Sequence, residues 1–291
     1  MIRRLLPLLC LVGCVETTAP NREGDDRPDA GDPRDAWGTA TLPAAPCVPD
    51  DDGVLAGEEL PVDPTAAVSA SYLVNPAGST RSVAIGAWTV GGAETGDERV
   101  RLAADPLSGA WFAGDFPGAH HQAVFDRAEG LVGVHALDDG LVLLGLASEA
   151  RGETSLVYSP PVPLLPTPLR DGDTWTVEAG AEGIADGVEY PIDWGLASVL
   201  TLHHTWTFAV DGHDTLSLPA MDVPAHRVRV EVVAEARNAV GFPIESESRR
   251  VVLWVAECLG VVARARSRVD EPLEDFTTAT ELLRLALPEA P

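Results

Sequence analysis

From Ala66 onward the chain alternates apolar and polar residues with a period of two, the spacing that gives a β-strand one buried and one wet face. "VSASYLV" (Val68 to Val74) and "TRSVAIGAWTV" (Thr80 to Val90) read as strands joined by a turn at Asn75-Pro76-Ala77-Gly78. "ERVRLAA" (Glu98 to Ala104) alternates charge with aliphatic side chains, and "QAVFDRAE" and "GLVGVHAL" follow. Asp138-Asp139-Gly140 predicts a hairpin turn into "LVLLGLASE" (Leu141 to Glu149). The unbroken apolar run from Leu141 to Leu144 predicts a strand covered on both faces. No useful helical period occurs in this half.

"SPPVPLLPTPLRDGDTW" (Ser159 to Trp175) interrupts the alternation with five prolines. Each proline removes a backbone donor, so the segment is expected to be an extended connector rather than a central strand. Longer strands are expected after it, at Thr174 to Gly180, Gly187 to Asp193, Ala197 to Val210, His213 to Ala220, Ala225 to Ala236, Ser248 to Glu257 and Val261 to Val269. In the last of these Arg264, Arg266 and Arg268 alternate with Ala263, Ala265 and Ser267, which predicts a wet basic face and small residues turned inward. "TTATELLRLALPEAP" fits two helical turns or a strand; its threonines and Pro288 favour a final strand. The residues alone therefore define a mainly β protein with two β regions, 65–158 and 174–291, on either side of a connector at 159–173.

The N-terminal pattern is different. Arg3 and Arg4 precede a short apolar run, Leu5 to Val12, and a small residue, Gly13. This is the order of a secretory signal peptide, and the run is far too short for the roughly 20 apolar residues of a membrane span. Leu11-Val12-Gly13-Cys14 resembles the lipobox of bacterial lipoproteins. That resemblance implies removal of residues 1–13, acylation of Cys14 and attachment to the membrane through its lipid. Val15, in place of an Asp that would imply inner-membrane retention, points to the outer membrane without deciding which face. An ordinary secreted protein cut near Ala19 is the competing reading. Residues 14–64 are rich in Asp, Pro, Gly, Thr and Ala and offer too little apolar surface to offset the entropy of ordering, so a disordered acidic tether is expected. Within it, Asp50-Asp51-Asp52-Gly53 lacks the spaced ligands and final Glu of an EF-hand loop.

Charge and cysteine usage narrow the partners. The chain has 45 acidic residues against 20 basic ones, all of them arginine, for a formal net charge of −25. Such a charge repels nucleic-acid phosphates, and no nucleic-acid partner is expected. Once Cys10 leaves with the signal and Cys14 is acylated, Cys47 and Cys258 remain, in an oxidising compartment. A Cys47–Cys258 disulfide would pin the end of the tether to the folded part; two free thiols are the alternative. No further ligands flank either cysteine, so zinc is not expected.

Residues 130–290 resemble a loose group of β-rich envelope lipoproteins of Gram-negative bacteria, common in myxobacteria and their relatives and without an assigned function. The resemblance is carried by "GLVLLG" (Gly140 to Gly145) with the proline-rich segment ending in Gly172-Asp173-Thr174-Trp175, by "LSLPAMDVPAHRVRVEV" (Leu216 to Val232), and by "LWVAECLGVVARAR" (Leu253 to Arg266). It implies a strongly curved antiparallel sheet or half-open barrel, similar to that of the envelope lipoprotein carriers. Cys258 and Met221-Asp222 depart from the group's glycine and proline turns.

Candidate chemistry is sparse. Trp175, Trp206 and Trp254 lie in separate predicted strands and could form the core or the wall of a ligand cavity. His120-His121 and His203-His204 are adjacent pairs, and adjacent strand residues point to opposite faces. A metal site would require His120, His121, His203 and an acid such as Asp214 to converge, and nothing in the sequence brings them together. There is no H-E-x-x-H, G-x-S-x-G or Gly-rich phosphate loop. The expectation is a non-enzymatic envelope lipoprotein with no cofactor, no metal and no catalytic residue, with a hydrolase or metal-binding protein as the minor alternative. Its β domain is expected to hold an apolar ligand or acyl chain, or alternatively to act as a scaffold for an envelope protein.

Overall fold

The computed structural model describes residues 47, 49–60, 69–193, 199–219 and 221–286. Cys14, the signal segment and the tether up to residue 46 lie outside the described residues. The strands, in chain order, are β1 (Val54–Leu55), β2 (Ser69–Val74), β3 (Arg81–Ser82), β4 (Glu98–Ala103), β5 (His121–Asp126), β6 (Leu131–Leu137) and β7 (Gly140–Ser148). They continue as β8 (Ser155–Pro166), β9 (Leu169–Arg170), β10 (Thr174–Ala185), β11 (Val188–Tyr190), β12 (Ile192–Asp193) and β13 (Val199–Ser217). The last five are β14 (Asp222–Asn238), β15 (Pro243–Ala256), β16 (Gly260–Val269), β17 (Thr278–Ala279) and β18 (Glu281–Ala286).

One antiparallel sheet runs through twelve of them in the order β4-β2-β18-β16-β15-β14-β13-β10-β8-β7-β6-β5, with β11 paired to β10 and β12 to β13 off this path. From β5 to β18 this is a meander, each strand folding back beside the last, as short polar turns between apolar strands dictate. β2 and β4, early in the chain, then extend the sheet beyond β18. Strands from the two β regions read from the sequence share one sheet. The ladders β2–β18 and β8–β10 run across the boundary between them, and a single sheet curls into a nearly closed barrel with one open seam.

The seam lies between β4 and β5. At one end Asp105 and Gln122 exchange two backbone hydrogen bonds of 2.9 and 2.8 Å. At the other, Arg127 donates to Glu98 at 3.3 Å. Among the described residues no ladder joins the two strands between these stitches.

Alternation sets which side chains face inward. Along β13, Leu200, Leu202, His204, Trp206, Phe208 and Val210 are buried. On the opposite face of β10 and β13, Thr174, Thr176, Glu178 and Thr207 are exposed. The barrel's outer wall is therefore polar here, the reverse of the apolar outer band of a membrane barrel. A second core covers the outside of β14–β16, where Val252, Trp254, Ala263 and Ala265 pack beneath Val83, Ile85 and Phe276. A third, smaller cluster sets Phe112 and Phe116 against Val132, Val134 and Ala147. Gly145 permits that contact: a Cβ there would sit 2.6 Å from Phe116 Cε1 and 2.0 Å from the Leu156 carbonyl oxygen.

The proline-rich segment does form a strand, contrary to expectation. β8 pairs with β7 as far as Gly140↔Pro166, but its ladder to β10 stops at Ser159↔Gly180. From Pro160 onward β8 has one partner only, so a proline nitrogen turned to the open side forfeits no ladder bond. On that side the Pro163 carbonyl accepts a hydrogen bond of 2.9 Å from Trp175 Nε1. The C-terminal segment is a strand, β18, as expected.

Candidate functional site: the barrel cavity

The inward faces do not fill the barrel. They enclose a cavity of about 320 Å³ whose wall is mostly aliphatic and aromatic, including Phe125, Leu131, Leu146, Trp206, Val230 and Val251. Leu102, Ala103, Ala123 and Val124 bring the wall up to the seam. This size lies at the lower end of the range of small-molecule pockets.

Of the three tryptophans expected together, only Trp206 lines the cavity. It lies 6.1 Å from Tyr158 and 6.3 Å from Phe125, ring to ring. Trp175 shares its face but sits further along the barrel, stacked on Phe208 at 4.6 Å and held by its bond to Pro163. Trp254 is on the other face. Its neighbour in register is Arg227, whereas the inward positions pair as Trp206↔Val232 and Val228↔Leu253. Trp254 is wholly buried in the outer core and forms no part of the cavity wall.

The same parity reverses the expected orientation of β16. Leu253 pairs with Arg264 and Val251 with Arg266, so these arginines project into the barrel while Ala263 and Ala265 pack outward under Trp254. Small residues face out because the outer core leaves them no room; long ones face in because the cavity has space. Arg264 donates to Glu281 at 2.9 and 2.6 Å. Arg266 bonds to Asp126 and donates to the Phe125 carbonyl at 2.7 Å. Arg249 lies 3.8 Å from Asp126. Burial and the neighbouring Arg266 charge lower the Arg249 pKa, while burial raises that of Glu281 but is outweighed by Arg264 and Arg266, which hold it below its usual value. Glu129, beside this group, is pushed up to about 7 by burial and by the charges of Asp126 and Asp186.

A second polar patch is made of neutral groups. His121 stacks on His135 with ring centroids 4.9 Å apart, and Tyr158 Oη bonds to His204 Nδ1 at 2.7 Å. Burial lowers His135 to about 3 and His121 and His204 to about 4, each helped by a neighbouring histidine. These rings are uncharged at neutral pH. Gly133 makes room for them, since a Cβ there would lie 2.8 Å from His135 Cε1. Two buried polar atoms on the cavity's lining residues, His135 Nδ1 and Trp206 Nε1, have no hydrogen-bond partner. A buried polar atom left unpaired costs about 1–3 kcal/mol, which a ligand or water could recover.

The His203-His204 pair is split by the strand, one ring in and one out, whereas His120, just before β5, keeps its Nδ1 within 3.3 Å of His121 Nδ1. His204 is buried, whereas His203 faces outward, 3.9 Å from Glu178. His121 faces the cavity while His120 is exposed, and Asp214 is exposed. The four groups considered for a metal site do not converge. Sequence reasoning missed Asp126, His135, Tyr158 and Arg249, which lie in ordinary alternating strands and acquire meaning only when distant strands curl together.

No protein-family model matches the chain, and no curated protein is significantly similar to it. Among solved structures it is similar to the hypothetical lipoprotein YmcC from Escherichia coli, with 12% identity over 79% of this chain and 91% of that one and a TM-score of 0.33. It is also similar to a Bacteroides fragilis protein described as exported and as having a YmcC-like fold, with 9% identity, coverage of 74% and 93%, and a TM-score of 0.23. At such TM-scores neither likeness carries an argument about function.

Proposed function

We propose that the protein is an envelope-anchored, non-enzymatic carrier whose barrel holds one apolar ligand of the acyl-chain class. The observation that carries this reading is the cavity of about 320 Å³, walled mainly by aliphatic and aromatic side chains and containing the unpartnered His135 Nδ1 and Trp206 Nε1. An acyl chain fills the apolar part, and its polar end satisfies these atoms or the arginine cluster. The seam between β4 and β5 gives a long, thin ligand a lateral way in, because among the described residues no ladder joins the two strands between the Asp105–Gln122 bridge and the exposed Arg127–Glu98 pair. Anchoring through Cys14 rests on the lipobox, and an outer-membrane position on Val15 after it.

One observation favours the scaffolding alternative. The β14–β15 hairpin tip exposes Val240, Phe242 and Ile244, at 73%, 68% and 52%, an apolar patch of the kind that marks a contact surface. Mass spectrometry of organic extracts from protein purified out of its native membrane separates the two readings. An acyl lipid recovered at about one per protein, and lost when Val251→Trp fills the cavity, is the expected result. A cavity that yields no lipid, together with stable complexes abolished by Phe242→Ser, would place the function at the hairpin instead.

A further inference from the structure

Away from the cavity's polar groups, three carboxylates meet where the tether joins the barrel. Asp50, Glu59 and Glu257 each bring one oxygen within 4.8 Å of the others. Glu59 and Glu257 are 6% and 8% exposed. Glu257 Oε2 accepts the backbone N–H groups of Asp50 and Asp51, both at 2.9 Å, and Glu59 Oε2 accepts that of Ala56 at 2.8 Å. Glu257 Oε1 is buried with no partner. Among the described residues no arginine or histidine forms an ion pair with any of the three; the nearby His213 lies 3.5 Å from Asp51 instead.

Such an arrangement is costly without a counter-charge. Buried carboxylates repel one another, and unpaired buried charge is among the strongest destabilising features of a fold. The donors are all oxygens, which selects a hard cation rather than zinc or copper. They come from two stretches of chain, residues 50–59 and the turn after β15, and the up to 4.8 Å between their oxygens suits the larger, variably coordinated calcium better than the small magnesium.

We propose that Asp50, Glu59 and Glu257 form a calcium site, completed by water and backbone carbonyls. The cation gives Glu257 Oε1 its partner and joins the end of the tether to the turn after β15. The adjoining residues define what it stabilises. Cys258 is bridged to Cys47 and donates its N–H to the Glu59 carbonyl at 2.8 Å, while Leu60 and Leu259 line the cavity. The ion thus braces the segment that walls one side of the cavity.

Calorimetric titration of the full chain, disulfide intact and stripped with a chelator, tests this. Calcium chloride should bind at one site per chain and raise the thermal midpoint saturably, with magnesium at least tenfold weaker. Asp50→Asn, at an exposed position, should weaken calcium binding at least tenfold. Glu257→Gln should abolish it and, in chelator, leave the midpoint at or above that of the unmodified protein, because the substitution removes a repelled charge. Absence of calcium binding, equal binding of magnesium, or unchanged calcium affinity in Asp50→Asn would overturn the proposal, and the last readout stands even if Glu257→Gln does not fold.

Discussion

Arg266 on β16 grips Asp126 on β5, joining across the barrel interior two strands that lie far apart in the sheet order. The guanidinium also holds the Phe125 carbonyl at 2.7 Å, so β5, the last strand of the sheet, is fixed from inside rather than by a ladder to β4. Both side chains are nearly inaccessible, at 8% and 7%. Removing one partner of such a pair leaves the other charge buried alone, which costs about 3–5 kcal/mol.

Asp126→Asn should therefore lower the unfolding free energy by about 3 kcal/mol. The double change Asp126→Leu with Arg266→Met should recover part of the loss, since of the two partners neither charge is left behind, while the more distant Arg249, 3.8 Å from Asp126, loses a counter-charge. Urea unfolding of both variants measures this. Equal, small effects for single and double changes would mean that water already screens the pair.

Stability should also fall on acidification. His121, His135 and His204 are held neutral in the fold at about 4, 3 and 4, while the unfolded chain protonates them near 6.5. Between these limits the unfolded state binds more protons, so stability is present above pH 6.5 and drains as pH falls, by up to about 1.4 kcal/mol per pH unit for each fully buried ring. Glu129 works the other way: its folded value near 7 lies above the unfolded one, so it loses stability as pH rises from 4.5 to 7. The histidine slope should shrink in His135→Phe, and unfolding midpoints between pH 4 and 7 in that variant and the unmodified protein provide the check.

The strands were legible because period-two patterning persists along most of the chain, and the hairpin turn at Asp138-Asp139-Gly140 carried its own chemistry: Asp139 and Gly140 both have positive φ. The curvature came by resemblance and is present as a nearly closed barrel. What failed was the assignment of faces. Alternation alone does not say which face is inside when both are covered, and the outer core over Trp254 made Ala263 and Ala265 the outward residues and Arg264 and Arg266 the inward ones. The proline-rich strand β8 was hidden for a related reason, because its one-sided pairing depends on where β10 diverges. The cavity's polar groups could not be read at all, since His135, Tyr158 and Asp126 meet only through closure.

The Cys47–Cys258 bridge, with Cα atoms 5.4 Å apart, closes a loop spanning 211 residues. Chain entropy assigns a loop of that length about 5 kcal/mol as an upper figure. Cys47→Ser should lower the thermal midpoint while leaving the β-sheet circular dichroism spectrum unchanged below the transition. Calcium addition should restore part of the loss if the site at Glu257 still forms. A midpoint equal to that of the oxidised protein would show that the bridge constrains only the tether.

The most direct test of the carrier reading is titration of the delipidated protein with a fluorescent polyene fatty acid, read by energy transfer from tryptophan. Saturable binding of one molecule per chain is predicted, competed by palmitate, weakened more than tenfold by Val251→Trp and unchanged by Trp254→Phe on the far side of the sheet. Absence of saturable binding, or equal binding by Val251→Trp and the unmodified protein, would contradict it.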